Sequence, residues 1–218
     1  MSARRPEPPS KADPLEVLRS PQWLTEARRK AIHLSFIVLP LELLLRLLPW
    51  PRTRGEFRVL FLALTAGAVA LDVLRIHERR VRTFFRQFFG ELLREHERMS
   101  VLGSTYLLLA ALIAIEVYPQ SVAGVALGYT VLGDAMGALV GRAWGRHKFF
   151  NKSWEGVAGC LVACLAWAAI ATPLAGLPWS VTLVGALAAT VVEALPIPLD
   201  DNLGITLVAG YTMKLMLG

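Results

Sequence analysis

The sequence predicts an all-α integral membrane protein with about seven transmembrane helices, its N-terminus cytoplasmic, plus an amphipathic interfacial helix. Three observations carry that class. First, 55% of the 218 residues are hydrophobic and the mean hydropathy is +0.49, more apolar than a soluble domain of this length. Second, the apolar residues gather in seven blocks, roughly 31–48, 56–74, 101–118, 121–141, 157–173, 179–195 and 203–217. As helices these are about the length that crosses a ~30 Å hydrocarbon layer. Third, the basic residues keep to one side. With the N-terminus inside, the cytoplasmic segments hold seven Lys and Arg up to Lys30, seven in 75–98 and four in 142–155, whereas the outer segments hold Arg52, Arg54 and Arg58. Positive charge retained inside sets that orientation, and seven crossings put the C-terminus outside.

Taken in order, residues 1–25 read as a polar N-terminal tail or surface helix. Residues 1–13 are Pro-rich and expected to be disordered, while 14–30 fit a surface helix. There is no h-region, so no cleavable signal peptide is expected. Residues 26–218 read as one polytopic membrane domain. In the first block Glu42 and Arg46 stand four apart, the spacing of an intrahelical ion pair. Asp72 and Arg75 end the second block, as a pair or as part of a site. The stretch RRVRTFFRQFFGELLREHER, residues 79–98, sets Phe84, Phe85, Phe88, Phe89, Leu92 and Leu93 on one helical face with Arg79, Arg82, Arg86 and Arg94 largely opposite. That pattern belongs in the headgroup layer, as a surface connector or as a guide for a lipid. In the fourth block Gly133, Gly137 and Gly141 recur every four residues, a seam for close approach of a helix or ligand. Cys160 and Cys164 have no cluster of Cys or His around them and read as small packing residues.

The net charge of +6 is not a nucleic-acid signature, because the basic residues flank membrane blocks. Anionic headgroups or a phosphorylated small molecule fit that placement, so no nucleic-acid partner is expected. The unusual polar residues collect at the cytoplasmic side: Glu26, Arg29, Lys30 and His33 before the first block, Asp134 in the fourth, and Glu193, Asp200, Asp201 and Asn202 around the sixth and seventh. Anchoring needs cations and not carboxylates at membrane depth. Asp134 is the most telling, since a carboxylate within an apolar helix costs a few kcal/mol unless paired, hydrated or bound to a cation. Just beyond it come Arg142, Arg146, Lys148 and Lys152, forked and point-charge donors suited to a polyphosphate. Ser153 is placed to cap the next helix, whose free N–H groups make an anion site. A polyphosphate also calls for Mg²⁺ held by one or two carboxylates with waters. Pro196 and Pro198 break the helix between Glu193 and the Asp pair, as happens where backbone lines a wet cavity. No Walker A motif is present. Phosphoryl or nucleotidyl transfer with an acceptor drawn from the bilayer fits these pieces.

The segments GDAMGALVGRAWGRHKFFNKSWEG (133–156) and VEALPIPLDDNLGI (192–205) resemble the CTP-dependent membrane lipid-alcohol kinases: dolichol kinase, phytol kinase and the CTP-dependent diacylglycerol kinase. The family's signature is an Asp, Ala three on, Gly seven on, and a basic stretch ending Lys-Lys-Thr-x-Glu-Gly. Asp134, Gly141, Lys152, Glu155 and Gly156 match it, and Ser153 replaces Thr. Gly137 stands in place of the usual Ala, and Asn151 in place of the first Lys, a lost phosphate contact for which Lys148 is the nearest substitute. EARRKAIH (26–33) and ELLREHERMSVLGSTY (91–106) also resemble family segments, so the likeness runs from about residue 26 to the end.

The resemblance implies transfer of the γ-phosphoryl group of CTP, with Mg²⁺, to the hydroxyl of a membrane isoprenoid alcohol or diacylglycerol. Asp134, Asp201, Glu193 and Lys152 are the expected catalytic residues. Mg²⁺ is expected on Asp134 and Asp201 with Asn202 or Glu193 beside them. The nucleotide falls to Arg142, Arg146, Lys148, Lys152, Ser153, Glu155, Gly156 and Gly141, and the lipid headgroup to His33, Arg29 and Lys30. The expected location is the cytoplasmic membrane if the source is prokaryotic, with the site facing the cytoplasm; a homodimer is allowed. The nearest rival is a phosphatidate cytidylyltransferase, but the ending of Pro-Gly-His-Gly-Gly and Asp-Arg-x-Asp-Ser type found in those enzymes is replaced here by LPIPLDDN. A small membrane transporter using Asp134, or an idle lipid-binding relative, would also be compatible with the sequence.

Overall fold

A computed structural model of the chain describes residues 18, 20–90, 92–93, 97 and 99–218; the expected disordered tail and residues 91, 94–96 and 98 of the 79–98 segment lie outside them. All seven apolar blocks are helical. The helices are α1 (Pro21–Ser35), α2 (Val38–Leu45), α3 (Arg54–His77), α4 (Arg79–Phe89), α5 (Gly103–Val117), α6 (Gln120–Trp144), α7 (Trp154–Ala175), α8 (Trp179–Ala194) and α9 (Asp201–Leu217). Three of them, α3, α6 and α7, are long and apolar enough to cross a membrane, and α5 and α8 are shorter apolar helices. The all-α expectation needs one amendment, a two-stranded antiparallel hairpin of β1 (Lys148–Phe149) and β2 (Lys152–Ser153). Its turn is made by Phe150, which takes a left-handed φ of 46°.

The first apolar block is not one helix. Pro40 has no N–H to offer the carbonyl of Phe36, and its ring crowds that carbonyl. The Phe36 carbonyl accepts from Leu39 N instead, at 3.0 Å, and the helix divides into α1 and α2. Nor do Glu42 and Arg46 form the expected ion pair. Arg46 ends α2 in a left-handed conformation, φ 52°. The bend leaves the next N–H groups without helical acceptors, and buried Glu42 takes them, from Leu47 at 3.0 Å and Leu48 at 3.1 Å. Two backbone N–H bonds to a charged carboxylate are worth more than one surface ion pair.

A capping box starts α3, with Thr53 Oγ1 accepting from Glu56 N at 3.3 Å and Glu56 accepting from Thr53 N at 2.9 Å. It runs antiparallel to α5. At one end Arg54 donates to the carbonyls of Ile115 (2.8 Å) and Glu116 (2.7 Å). At the other Thr105 Oγ1 donates to Asp72 at 2.7 Å.

The centre of the bundle is α6, which packs against α1, α2, α7, α8 and α9 and is enclosed from Val122 to Val131. One close approach there depends on glycine. A Cβ on Gly128 would lie 2.0 Å from the ring of Trp167 on α7, whose Nε1 donates to Val125 O at 3.0 Å. Gly128→Ala is therefore expected to lower stability by about 1–3 kcal/mol through overpacking, read as a lower melting temperature in detergent or nanodiscs. Gly67→Ala, where nothing lies within 4 Å of the added Cβ, is the matched control.

Candidate active site

The site sits where α6, α8 and α9 come together under the β-hairpin. Asp134 projects from α6 and Glu193 from the last turn of α8. Asp201 opens α9 after the Pro196–Pro198 break, and Asp200 caps that helix by accepting from Asn202 N at 3.0 Å. One carboxylate oxygen from each of Asp134, Glu193 and Asp201 lies within 4.8 Å of the others. The trio thus comes from three helices, with Asp134 distant in sequence from Glu193 and Asp201, which flank the proline break.

The hairpin is held down by small residues. A Cβ on Gly156 would meet Gly137 O at 2.9 Å, so the start of α7 and the glycine seam of α6 are in close contact. Ser153 caps α7 by accepting from Gly156 N at 3.1 Å. Lys152, one residue earlier, swings its ammonium between two of the carboxylates, 2.8 Å from Glu193 Oε1 and 2.9 Å from Asp201 Oδ2. Burial alone would lower the Lys152 pKa, but Glu193 and Asp201 outweigh it and raise the pKa above the usual lysine value. Lys152 is thus a permanent cation at neutral pH. Burial raises the carboxyl pKa of Asp200, against the hydrogen bonds that it takes from Asn202.

From the other side α1 supplies a second cation. Lys30, 2% exposed, pairs with Asp134 Oδ2, and His33 Nε2 lies 3.4 Å from the same oxygen. Arg29 pairs with Glu26, which also receives Arg142 at 3.2 Å. A cavity of about 280 Å³ opens over these groups. Of the sequence-predicted residues, Asp134, Glu193, Asp201, Lys152, Arg142, Lys148, Ser153, Gly141 and Gly156 line it. Others do not. Arg146 is exposed beside the hairpin. Glu155 turns to His147, whose Nδ1 is 2.7 Å away. Asn202 gives its amide to Gly103 O (3.2 Å) and Asp200 (2.8 Å). Lys30 and His33 reach the cavity only through Asp134, and Arg29 lines a second cavity of about 350 Å³ that shares Glu26 and Arg142 with the first.

Two lining residues with polar side chains are not among the sequence-predicted site residues. Glu26 is one, and its signal is its place one helical turn before Arg29 and Lys30 on the same face. Asn151 is the other; by sequence it marks only the position of a missing lysine.

Chemically, three carboxylates sharing a few ångströms repel one another unless cations intervene. Lys30 and Lys152 supply part of that charge. One oxygen, Glu193 Oε2, is buried without a hydrogen-bond partner among the described residues, and an all-oxygen donor set of this kind fits a hard divalent cation. The cationic rim of Arg142 and Lys148 beside it suits an anion of high charge.

This chain is similar to a lipid kinase. It is 26% identical over 163 residues to CTP-dependent diacylglycerol kinase 1 of Schizosaccharomyces pombe, covering 67% of this chain and 74% of that protein. It is also 25% identical over 189 residues to RP860, an uncharacterized protein of Rickettsia prowazekii, covering 84% of this chain and 90% of that one. No family model matches the chain, and no solved structure matches it. The similarity to a diacylglycerol kinase gives distant support to the family resemblance read from the sequence.

Proposed function

We propose that this protein is a membrane kinase that moves the γ-phosphoryl group of CTP to the hydroxyl of a membrane lipid. It does so at the cytoplasmic face of a bundle of about seven crossings. The observation that carries the reading is the trio Asp134, Glu193 and Asp201, bridged by Lys152 inside a cavity rimmed by Arg142 and Lys148. Phosphoryl transfer asks a protein mainly for positioning and charge stabilisation, and this constellation offers both. In the reaction the lipid hydroxyl oxygen bonds to the γ-phosphorus. The bond from that phosphorus to the β–γ bridging oxygen breaks, CDP leaves, and the hydroxyl proton passes to a site carboxylate and then to solvent.

Arg142, Lys148 and Lys152 hold the phosphates in this scheme. Asp134, Glu193 and Asp201 would hold Mg²⁺, which supplies charge neutralisation of the triphosphate when bound. The acceptor headgroup approaches by the second cavity, which adds Leu92 and Leu93 to the polar wall of Glu26, Arg29 and Arg142. An isoprenoid alcohol and diacylglycerol both present a hydroxyl at this level; the similarity to CTP-dependent diacylglycerol kinase 1 favours CTP as donor and diacylglycerol as the first acceptor to try.

The test uses purified protein in nanodiscs with Mg²⁺, CTP labelled at the γ-phosphate, and a panel of lipid alcohols and diacylglycerol. Label in a phosphorylated lipid, with CDP released, is the expected result. A CDP-lipid with pyrophosphate would replace this reading by cytidylyl transfer. In the same assay Lys152→Ala is expected to lower kcat/KM for CTP by about 10²-fold, the order seen when one charged donor is removed from a preorganised site. Lys152→Arg, which keeps the charge but not its point geometry, is expected to fall between.

A further inference from the structure

No residue of α4 is buried, yet its two faces are sharply different. At about 100° per residue Val81, Phe84, Phe85, Phe88 and Phe89 fall in one arc, and Arg79, Arg80, Arg82, Thr83, Arg86 and Gln87 fill the rest of the circle. Phe84 and Phe88 are each 61% exposed and stand as a pair, ring centroids 4.7 Å apart. The helix contains no acidic residue. Among the described residues, Arg79, Arg80 and Arg86 have no acidic partner.

Such a helix on a loose tether would be a passive float, but α4 is fixed. A single extended residue, Glu78, separates it from α3. Arg82 donates to the carbonyls of Arg75 and Ile76 at the end of α3. Phe85 lies 5.4 Å from the guanidinium of Arg75, itself 1% exposed. The end of α3 also exposes Leu71, Val73 and Leu74.

Arg75 also starts a chain of contacts that ends at the site. It donates to Glu97 O at 2.8 Å, to Ser100 O at 2.6 Å and to Asp72 at 2.8 Å. Asp72 in turn accepts from Leu102 N at 3.1 Å and Thr105 at 2.7 Å. Gly103, between those two, donates to Glu97 Oε1 at 3.3 Å, and its carbonyl accepts from Asn202 at 3.2 Å. Asn202 is the neighbour of Asp201.

We propose that α4 is a sensor for an anionic lipid surface. Phe84 and Phe88 enter the acyl boundary while Arg79, Arg80 and Arg86 hold anionic headgroups, the division of labour of an interfacial helix. Charge complementarity selects the partner: a face rich in arginine beside an aromatic ridge fits an anionic leaflet. Through Arg75 the seating of α4 steadies the corner at Glu97 and residues 100–105 and, through Asn202, the start of α9. The effect on turnover rests on the kinase reading; the binding of anionic lipid does not.

The experiment places the full chain in nanodiscs of phosphatidylcholine, alone or with phosphatidylglycerol. Phe88→Cys carries an environment-sensitive fluorophore; the two native cysteines are buried. The expected result is brighter, blue-shifted emission with phosphatidylglycerol. In the triple variant Arg79→Gln, Arg80→Gln, Arg86→Gln the apparent affinity for the anionic lipid is expected to fall about tenfold or more, and the triple Arg→Lys variant is expected to retain it. Hydrogen exchange around Gly103 and Asn202 is expected to slow with phosphatidylglycerol in the wild type and not in the Gln variant. Emission indifferent to lipid charge, or a Gln variant that responds like the wild type, overturns the proposal. A responsive label with unchanged exchange at Gly103 and Asn202 overturns the link to the site. If no disc supports phosphotransfer, the kinase reading fails, and these two readouts still decide the sensor.

Discussion

Asp134→Asn is expected to reduce phosphotransfer from CTP by about 10²–10³-fold in the folded protein, and to lower its melting temperature because it breaks the pair with Lys30 from the other side. The magnitude is that of losing one charged group preorganised for the transition state. Asparagine keeps the shape and one acceptor oxygen but removes the negative charge that pairs with Lys30 and faces Glu193 and Asp201. If Asp134 belongs to a cation site for the triphosphate, the loss falls on kcat and kcat/KM together, because an interaction made mainly in the transition state has gone. The dependence on Mg²⁺ is expected to move to higher concentration as well. Steady-state assay across a Mg²⁺ series, with melting curves of both proteins beside it, makes the measurement. Near-normal turnover in a folded Asp134→Asn protein would remove the acidic trio from the mechanism and leave the cavity as a binding pocket.

The sequence is legible where the physics is local. The hydrophobic blocks become helical, because the backbone of a long apolar run has one inexpensive way to pair its own N–H and carbonyl groups. Asp134 stands out because a lone carboxylate in an apolar helix demands an explanation. Glu193 and Asp201 do so because two prolines break the helix between them. Local rules fail where a second segment decides. Glu42 and Arg46 have pair spacing, but the left-handed turn at Arg46 creates two N–H groups that need the carboxylate more. Pro40 lies in plain view within the first block, yet apolar content masks its effect on Phe36. Lys30 and Asp134 are 104 positions apart, and no periodicity in either helix announces that contact. The hairpin escapes for the same reason, since its strands are two residues each and too short for any alternation to show.

Lys30→Met is expected to destabilise the protein by about 3–5 kcal/mol, the range for breaking a buried ion pair from one side. Lys30 is 2% exposed and spends its ammonium on Asp134. Methionine fills similar volume but leaves the carboxylate with its main counter-charge gone, held by weaker neighbours such as His33. Because both partners are enclosed, solvent offers little screening, and the loss is expected to show as a fall in melting temperature. Stability and catalysis then separate in the double variant Lys30→Met, Asp134→Leu. Removing both charges takes away the desolvation penalty along with the attraction, so much of the lost stability is expected to return. Phosphotransfer is not expected to return, since Asp134 itself is absent. A double variant as unstable as Lys30→Met would mean that Lys30 holds the fold by packing its stem and not by pairing. Recovery of turnover in the double variant would instead free the chemistry from Asp134 altogether.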